Sequence, residues 1–160
     1  MIGRLRAASS LVLVIGVFLL TLAAPASGQQ PERGTTLEEF VLNVAHLWGN
    51  GDVPALLELL PADNFVVLDT GSGIEKTDER HAAAALRALF ANGESLDVRP
   101  IRIAVASTAP LRGFGELSWT FRARGSRSQQ SRSVFVAAAM EEDAWRITEL
   151  RLMPFSAGSP

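Results

Sequence analysis

Apolar and polar residues follow two rhythms between positions 36 and 154, and the rhythm changes once. In the first part apolar residues recur every three to four positions. Leu37, Phe40, Val41, Val44 and Trp48 form one stripe at helical spacing. Thr36-Leu37-Glu38-Glu39 is a capping box, in which Thr36 caps the helix start and Glu39 reaches back to it. Gly49-Asn50-Gly51 supplies residues that tolerate a left-handed cap. Asp52 restarts a helix as its N-cap, with Pro54 in the first turn. Leu56, Leu57, Leu59 and Leu60 make that helix apolar until Pro61 stops it. Residues 65–68 are β-formers and predict a short strand, broken by Asp69-Thr70-Gly71-Ser72-Gly73. Thr77 is a candidate cap for a third helix, with Asp78 and Glu79 near its positive end. Residues 81–90 are rich in Ala and Leu, high in helix propensity, and Asn92-Gly93 closes them.

From there the period falls to two. Residues 96–107 carry Ile101, Ile103 and Val105 in alternation, and Pro100 predicts a bulge or bend. Residues 114–124 place Leu117, Trp119 and Phe121 on one face, with Glu116, Ser118, Thr120 and Arg122 on the other. Two further strands follow over 131–140 and 145–153, ended by Pro154. This order predicts an α+β domain: three N-terminal helices packed on the concave face of a curved, mostly antiparallel sheet, a cone-like roll. The domain spans 36–154, behind a polar linker at 29–35 and ahead of a tail at 155–160. Alternation fails in two places. Val134, Phe135 and Val136 are consecutive apolar residues, and Ile147 and Leu150 lie on opposite parities. Either a bulge restores the pattern, or the outer face is covered by a second subunit, giving a homodimer through the sheet.

The first 28 residues read differently. Arg4 and Arg6 precede an apolar run over 11–24, followed by Ala24-Pro25-Ala26 and Ala26-Ser27-Gly28. A positive n-region, an apolar core and small residues at a cut site predict a cleavable signal peptide. The run is shorter than the roughly 20 residues a bilayer crossing needs, so no integral membrane segment remains after cleavage. The expected address is periplasmic or secreted. With no cysteine in the chain, a lipid-anchor thiol, disulfides and thiolate metal sites are excluded. Loss of the leader takes the formal charge from −2 to −4. That mild acidity argues against nucleic acid as a partner, which needs a clustered positive surface.

The segment Trp48-Gly49-Asn50-Gly51-Asp52-Val53-Pro54-Ala55-Leu56-Leu57 resembles the opening of the nuclear transport factor 2-like superfamily, which includes SnoaL-like proteins and ketosteroid isomerases. Residues 65–69 sit where that superfamily has its first strand, and Trp145-Arg146-Ile147 with Leu150 resembles its closing strand. The resemblance implies a cavity between helices and sheet, and it puts Asp69 where isomerases hold a general-base aspartate. The donors that such chemistry needs do not carry over. The expected tyrosine position is about Val44, the expected protonated aspartate position is about Val136, and the chain has no tyrosine. A base without preorganised oxyanion donors is a poor isomerase.

Other motifs weigh less. Val66-Val67-Leu68-Asp69-Thr70-Gly71-Ser72 resembles the catalytic loop of aspartic proteases, whose paired aspartates share a proton. There is no second Asp-Thr-Gly, so a dyad would need two chains, and the surrounding helices are out of place for that family. The plain alternative is a strand-end turn, where Asp, Thr, Gly and Ser are all favoured. His46 and His81 are the only histidines and lack metal-ligand spacing, so neither metal nor cofactor is expected. His46 is a weak acid–base candidate beside Asp69. Val44, Trp48, Trp119 and Phe121 are the expected pocket walls. Gly113-Phe114-Gly115 is not a dinucleotide fingerprint, because a strand follows it. Arg122, Arg124, Arg127 and Arg132 cluster on one hairpin. They form either a patch for an anionic surface or partner, or a guard that keeps an exposed hairpin soluble and protects a sheet edge. The second is favoured, because no aromatic interleaves with the turn arginines. Together these features point to an exported, non-catalytic domain that binds a small apolar ligand or a protein partner. The alternatives are an enzyme using Asp69 as general base and a dimeric aspartic protease.

Overall fold

The structure, a computed structural model, describes residues 35–153. The expected signal peptide, nearly all of the linker and the tail lie outside them. Within them the order is α1 (Leu37–Asn50), α2 (Val53–Leu57), β1 (Phe65–Asp69), β2 (Glu75–Asp78), α3 (Glu79–Ala91), β3 (Gly93–Thr108), β4 (Leu111–Ala123), β5 (Gln129–Glu141) and β6 (Ala144–Leu152). The strands form one six-stranded sheet in the order β2-β1-β6-β5-β4-β3. Every neighbouring pair is antiparallel except β1 with β6. The helices pack on one face of this sheet, as an α+β roll requires.

The local signals at helix starts work as chemistry. Glu39 N donates to Thr36 Oγ1 at 3.2 Å and Thr36 N donates to Glu39 Oε2 at 2.8 Å, closing the capping box. Asp52 Oδ1 accepts from Ala55 N at 3.2 Å and starts α2. That helix ends earlier than Pro61, at Leu57. Its continuation is lost because the Leu59 carbonyl turns to accept Ile147 N of β6 at 2.7 Å. Strand β2 was not expected from the sequence. Thr77 lies inside it, opposite Val66, so Thr77 is not the cap of α3. Asp78 is the cap, its Oδ1 accepting from His81 N at 2.9 Å.

Register explains the broken alternation. On β6, Ala137 of β5 faces Glu149 and Ala138 faces Ile147, which leaves Thr148 unopposed. One inserted residue returns Ile147 and Leu150 to the same side, and both are buried. The bulge thus accounts for the last strand without a second subunit. Three more shifts fall on β3 and leave Leu96, Ile101 and Ala106 without partners on β4. The middle one adjoins Pro100, where a bulge is expected.

The core lies between the helices and the inner sheet face. Phe40, Val41, Val44 and Trp48 of α1 meet Leu117 and Trp119 of β4, Val134 and Val136 of β5, and Trp145, Ile147 and Leu150 of β6. Leu56 of α2 and Ala82, Ala83 and Leu86 of α3 close it. Full burial of a large apolar side chain contributes roughly 1.5–3 kcal/mol, so this contact set is the main source of stability. Two glycines set how near α1 can come. A Cβ at Gly115 would stand 2.6 Å from Val41 Cγ1, and one at Gly113 would overlap Leu37. The Gly-Phe-Gly run is therefore a landing strip for α1.

Candidate functional site

The space beneath the helices is filled. Trp119 stacks on Phe121 with centroids 4.3 Å apart, and Trp48 meets Trp119 edge-on at 5.7 Å. Phe90 of α3 joins both tryptophans, at 5.1 Å from Trp48 and 6.4 Å from Trp119. Trp119 Nε1 donates to Ser95 Oγ at 2.7 Å. The Trp48 indole nitrogen is buried with no hydrogen-bond partner. Val44, Trp48 and Trp119 are sealed from solvent, while Phe121 is half-buried at the rim. Val136 also faces inward and is fully buried. Among the described residues no polar or charged side chain is buried with this cluster. Among the described residues this interior holds the Trp48 and Trp119 indole N–H groups and no buried carboxylate or imidazole.

Asp69 stands elsewhere. Val66 and Leu68 of β1 point into the core, so Asp69, on the opposite parity, does not. Its Oδ1 accepts from Gly71 N at 2.7 Å and from Gly73 N at 3.3 Å. The carboxylate organises its own turn in the manner expected of Asx residues. That turn leads into β2, and Thr70, Ser72 and Gly73 line a small cavity of about 220 Å³ with Leu68, Glu75, Thr77, His81 and Ala85. Arg132 of β5 reaches the same loop, 3.7 Å from where a Gly71 Cβ would lie.

His46 lines a different groove, of about 330 Å³, between the end of α1 and β3, with Asn50, Ser95, Leu96 and Asp97. Its Nε2 lies 3.0 Å from Asn50 Nδ2. An amide nitrogen only donates, so Nε2 accepts and the ring proton sits on Nδ1. Strands β6, β5 and β4 separate β1 from β3, and the structure does not bring His46 and Asp69 together. The i,i+4 spacing of His46 and Asn50 was readable in the sequence. The approach of Ser95 to Trp119 was not, because it depends on the pairing of β3 with β4. Among the described residues no group of three or more His, Asp or Glu side chains could hold a metal ion.

Two carboxylates at helix starts titrate below their usual range. Asp78 is lowered first by the His81 backbone N–H and then by the His81 ring. Glu39 is lowered by the Thr36 backbone N–H and then by the Thr36 hydroxyl. Both belong to helix caps, and neither borders the aromatic interior.

The outer sheet face holds what the interior lacks. Phe114 of β4 and Phe135 of β5 lie 5.6 Å apart there, and the Arg102 guanidinium sits 5.1 Å over the Phe114 ring. Glu116 and Arg151 flank Phe135 on the neighbouring strands. Glu149 pairs with Arg151, and Ala137 lies beside Phe114. The result is an aromatic centre ringed by charges of both signs. The alternation of β4 puts Phe114 on the side of Glu116 and Ser118, which was the signal for this patch.

No protein-family model and no curated protein sequence matches the chain. Solved structures do. A protein with a ketosteroid isomerase-like fold from Catenulispora acidiphila, in complex with trimethylamine, is 17% identical with a TM-score of 0.58, over 74% of this chain and 87% of that one. An NTF-2 like protein of unknown function from Shewanella oneidensis is 13% identical with a TM-score of 0.54, over 72% and 93%. A DUF4783 family protein from Bacteroides uniformis is 16% identical with a TM-score of 0.54, over 68% and 91%. The chain has the nuclear transport factor 2-like, ketosteroid isomerase-like fold. At these identities the likeness is one of fold, and a fold of this kind hosts many activities.

Proposed function

We propose that this is an exported, non-catalytic interaction domain that works as a homodimer through the outer face of its sheet. The observation that carries the reading is the contrast between an interior filled by aliphatic and aromatic side chains and the outer Phe114–Phe135 patch. An interior with no buried carboxylate or imidazole has no base to start a proton transfer. An aromatic centre inside a charged frame is what a protein interface presents. The frame holds Arg102 and Arg151 with Glu116 and Glu149, so a second copy can match it. The leader over 1–28 supports export.

Sedimentation velocity tests the reading. The wild-type protein is expected to self-associate, and Phe135→Asp is expected to raise the dissociation constant of the outer-face step at least tenfold while circular dichroism stays unchanged. An unaltered association after that substitution removes the proposal. Export is tested by finding the protein shortened at its N-terminus outside the cytoplasm.

A second reading has one supporting observation. Trp48, Phe90, Trp119 and Phe121 form a cluster of aromatic rings beneath the helices. The Catenulispora neighbour was solved with trimethylamine, and alkylammonium ions bind aromatic faces. Titration with trimethylamine, read by Trp fluorescence, decides it; no change in emission leaves the interaction domain alone.

A further inference from the structure

Exposed apolar side chains gather along one seam. Leu42 is 50% exposed, Leu96 37%, Ile101 54% and Val105 55%. Leu42 belongs to α1, and the other three to β3, the strand at one edge of the sheet. Between them runs a groove of about 470 Å³ lined by Glu38, Leu42, Pro100, Ile101, Arg102 and Ile103. The other edge is built differently. Strand β2 has only four residues, Glu75-Lys76-Thr77-Asp78, which is how a protein guards an edge against pairing. Strand β3 has 16 residues and leaves Leu96, Ile101 and Val105 exposed.

We propose that the β3 edge is a self-association surface, in which two copies pair antiparallel about a two-fold axis at Val98. The charges select this register. With the axis at Val98, Asp97 stands opposite Arg99 of the second copy and Glu94 stands opposite Arg102. Symmetry makes each pair occur twice. All four side chains lie on the same face, since their partners on β4 are Thr120, Ser118, Arg122 and Glu116, alternate residues of one strand. An axis at Asp97 would set that carboxylate against its own copy, and an axis at Arg99 would do the same with guanidinium groups. Directly opposed like charges destabilise a strand pair and opposite charges stabilise it.

The apolar residues agree with the charges. In this register Leu96 comes opposite Pro100 of the second copy, beside the groove that Leu42 and Ile101 leave open. Bulges at Leu96 and Ile101 flank the centre, and Pro100 has no N–H to give. The backbone ladder is therefore short, and the seam side chains carry much of the contact. An unrelated extended peptide would have no reason to match this order of charges, whereas the strand matches itself. The surface shares Arg102 with the rim of the outer-face patch, so its test is made with that patch disabled.

The test uses Phe135→Asp as background, so that the outer-face contact is absent. Sedimentation velocity is expected to show a concentration-dependent dimer that survives this substitution. Adding Arg99→Asp with Arg102→Glu, or separately Glu94→Arg with Asp97→Arg, is expected to raise the dissociation constant at least tenfold. Mixing the two charge-reversed chains is expected to restore a one-to-one pair. Because the chain has no cysteine, Val98→Cys places a lone thiol at the axis. Mild oxidation should then give a disulfide-linked dimer, while Thr108→Cys should not. A background variant that is monomeric at all concentrations, charge-reversed chains that fail to pair on mixing, or no cross-link through Val98→Cys each overturns the proposal.

Discussion

The two faces of the sheet are made of alternate residues of the same strands, yet they answer to different demands. On β4 the inner residues are Gly113, Gly115, Leu117, Trp119 and Phe121, and the outer ones are Phe114, Glu116, Ser118, Thr120 and Arg122. The inner set is graded by size to suit α1: glycine where Leu37 and Val41 press in, tryptophan where Trp48 and Phe90 leave room. The outer set has no such gradient and keeps one aromatic among polar neighbours. Shape is fixed inside, and surface chemistry is fixed outside. A residue's worth should therefore be read as stability on one face and as association on the other.

The largest expected effect is on the inner face. Gly115→Val forces a branched side chain into Val41, where even a Cβ stands at 2.6 Å. Overpacking costs about 1–3 kcal/mol and more where backbone must move, so this variant should lose its cooperative thermal transition or melt far earlier. Trp119→Ala leaves a cavity and an unpaired Ser95 hydroxyl, and should cost about 3–5 kcal/mol by urea unfolding. The outer face should respond in the opposite sense. Phe135→Asp should change the unfolding free energy of the monomer by no more than about 1 kcal/mol, while weakening self-association. Equal destabilisation by Trp119→Ala and Phe135→Asp would break the distinction between the faces.

Asp69 sharpens it. The carboxylate lies on the outer parity and holds Gly71 N and Gly73 N. As a turn former it should tolerate Asp69→Asn, which keeps an oxygen acceptor, with a loss of a few tenths of a kcal/mol at most. Asp69→Ala removes the acceptor and should cost about 1 kcal/mol. A general base behaves otherwise, since Asp69→Asn then abolishes any turnover. Measuring stability and turnover for both variants separates the two roles.

The sequence displayed whatever depends on near neighbours along the chain. The capping box at Thr36, the stripe from Leu37 to Trp48 and the alternation of β4 are local, and each is present as read. Strand β2 was invisible because it carries no apolar rhythm; its pairing with Val66 and Leu68 makes it a strand. The bulge at Thr148 was open to two readings until β5 supplied the register that decides between them. The same limit governs the site. The parity of Asp69 follows from Val66 and Leu68 beside it, whereas the filling of the interior by Phe90, Trp48 and Trp119 joins three distant segments. Position within an element is written locally, and what faces it across a cavity is not.

The smallest expected effect lies at the helix starts, away from both faces. Asp78 accepts from His81 N at 2.9 Å and from His81 Nδ1 at 2.8 Å, and its carboxyl is held below its ordinary value of 3.8. A group depressed in the folded state stabilises that state only while it is ionised. Its contribution is therefore complete above the unfolded value and is lost as pH falls through the folded one. Glu39 at the start of α1 behaves in the same sense. The melting temperature should fall as acid is added below about pH 4, and the fall should be shallower in Asp78→Ala. That substitution should also lower the melting temperature slightly at neutral pH, because an N-cap acceptor is lost. His81→Ala should remove part of the depression of Asp78 while leaving the backbone part in place. If acid titration of Asp78→Ala followed the wild-type curve throughout, the loss of stability would belong to other carboxylates, and the cap would be structural without being pH-linked.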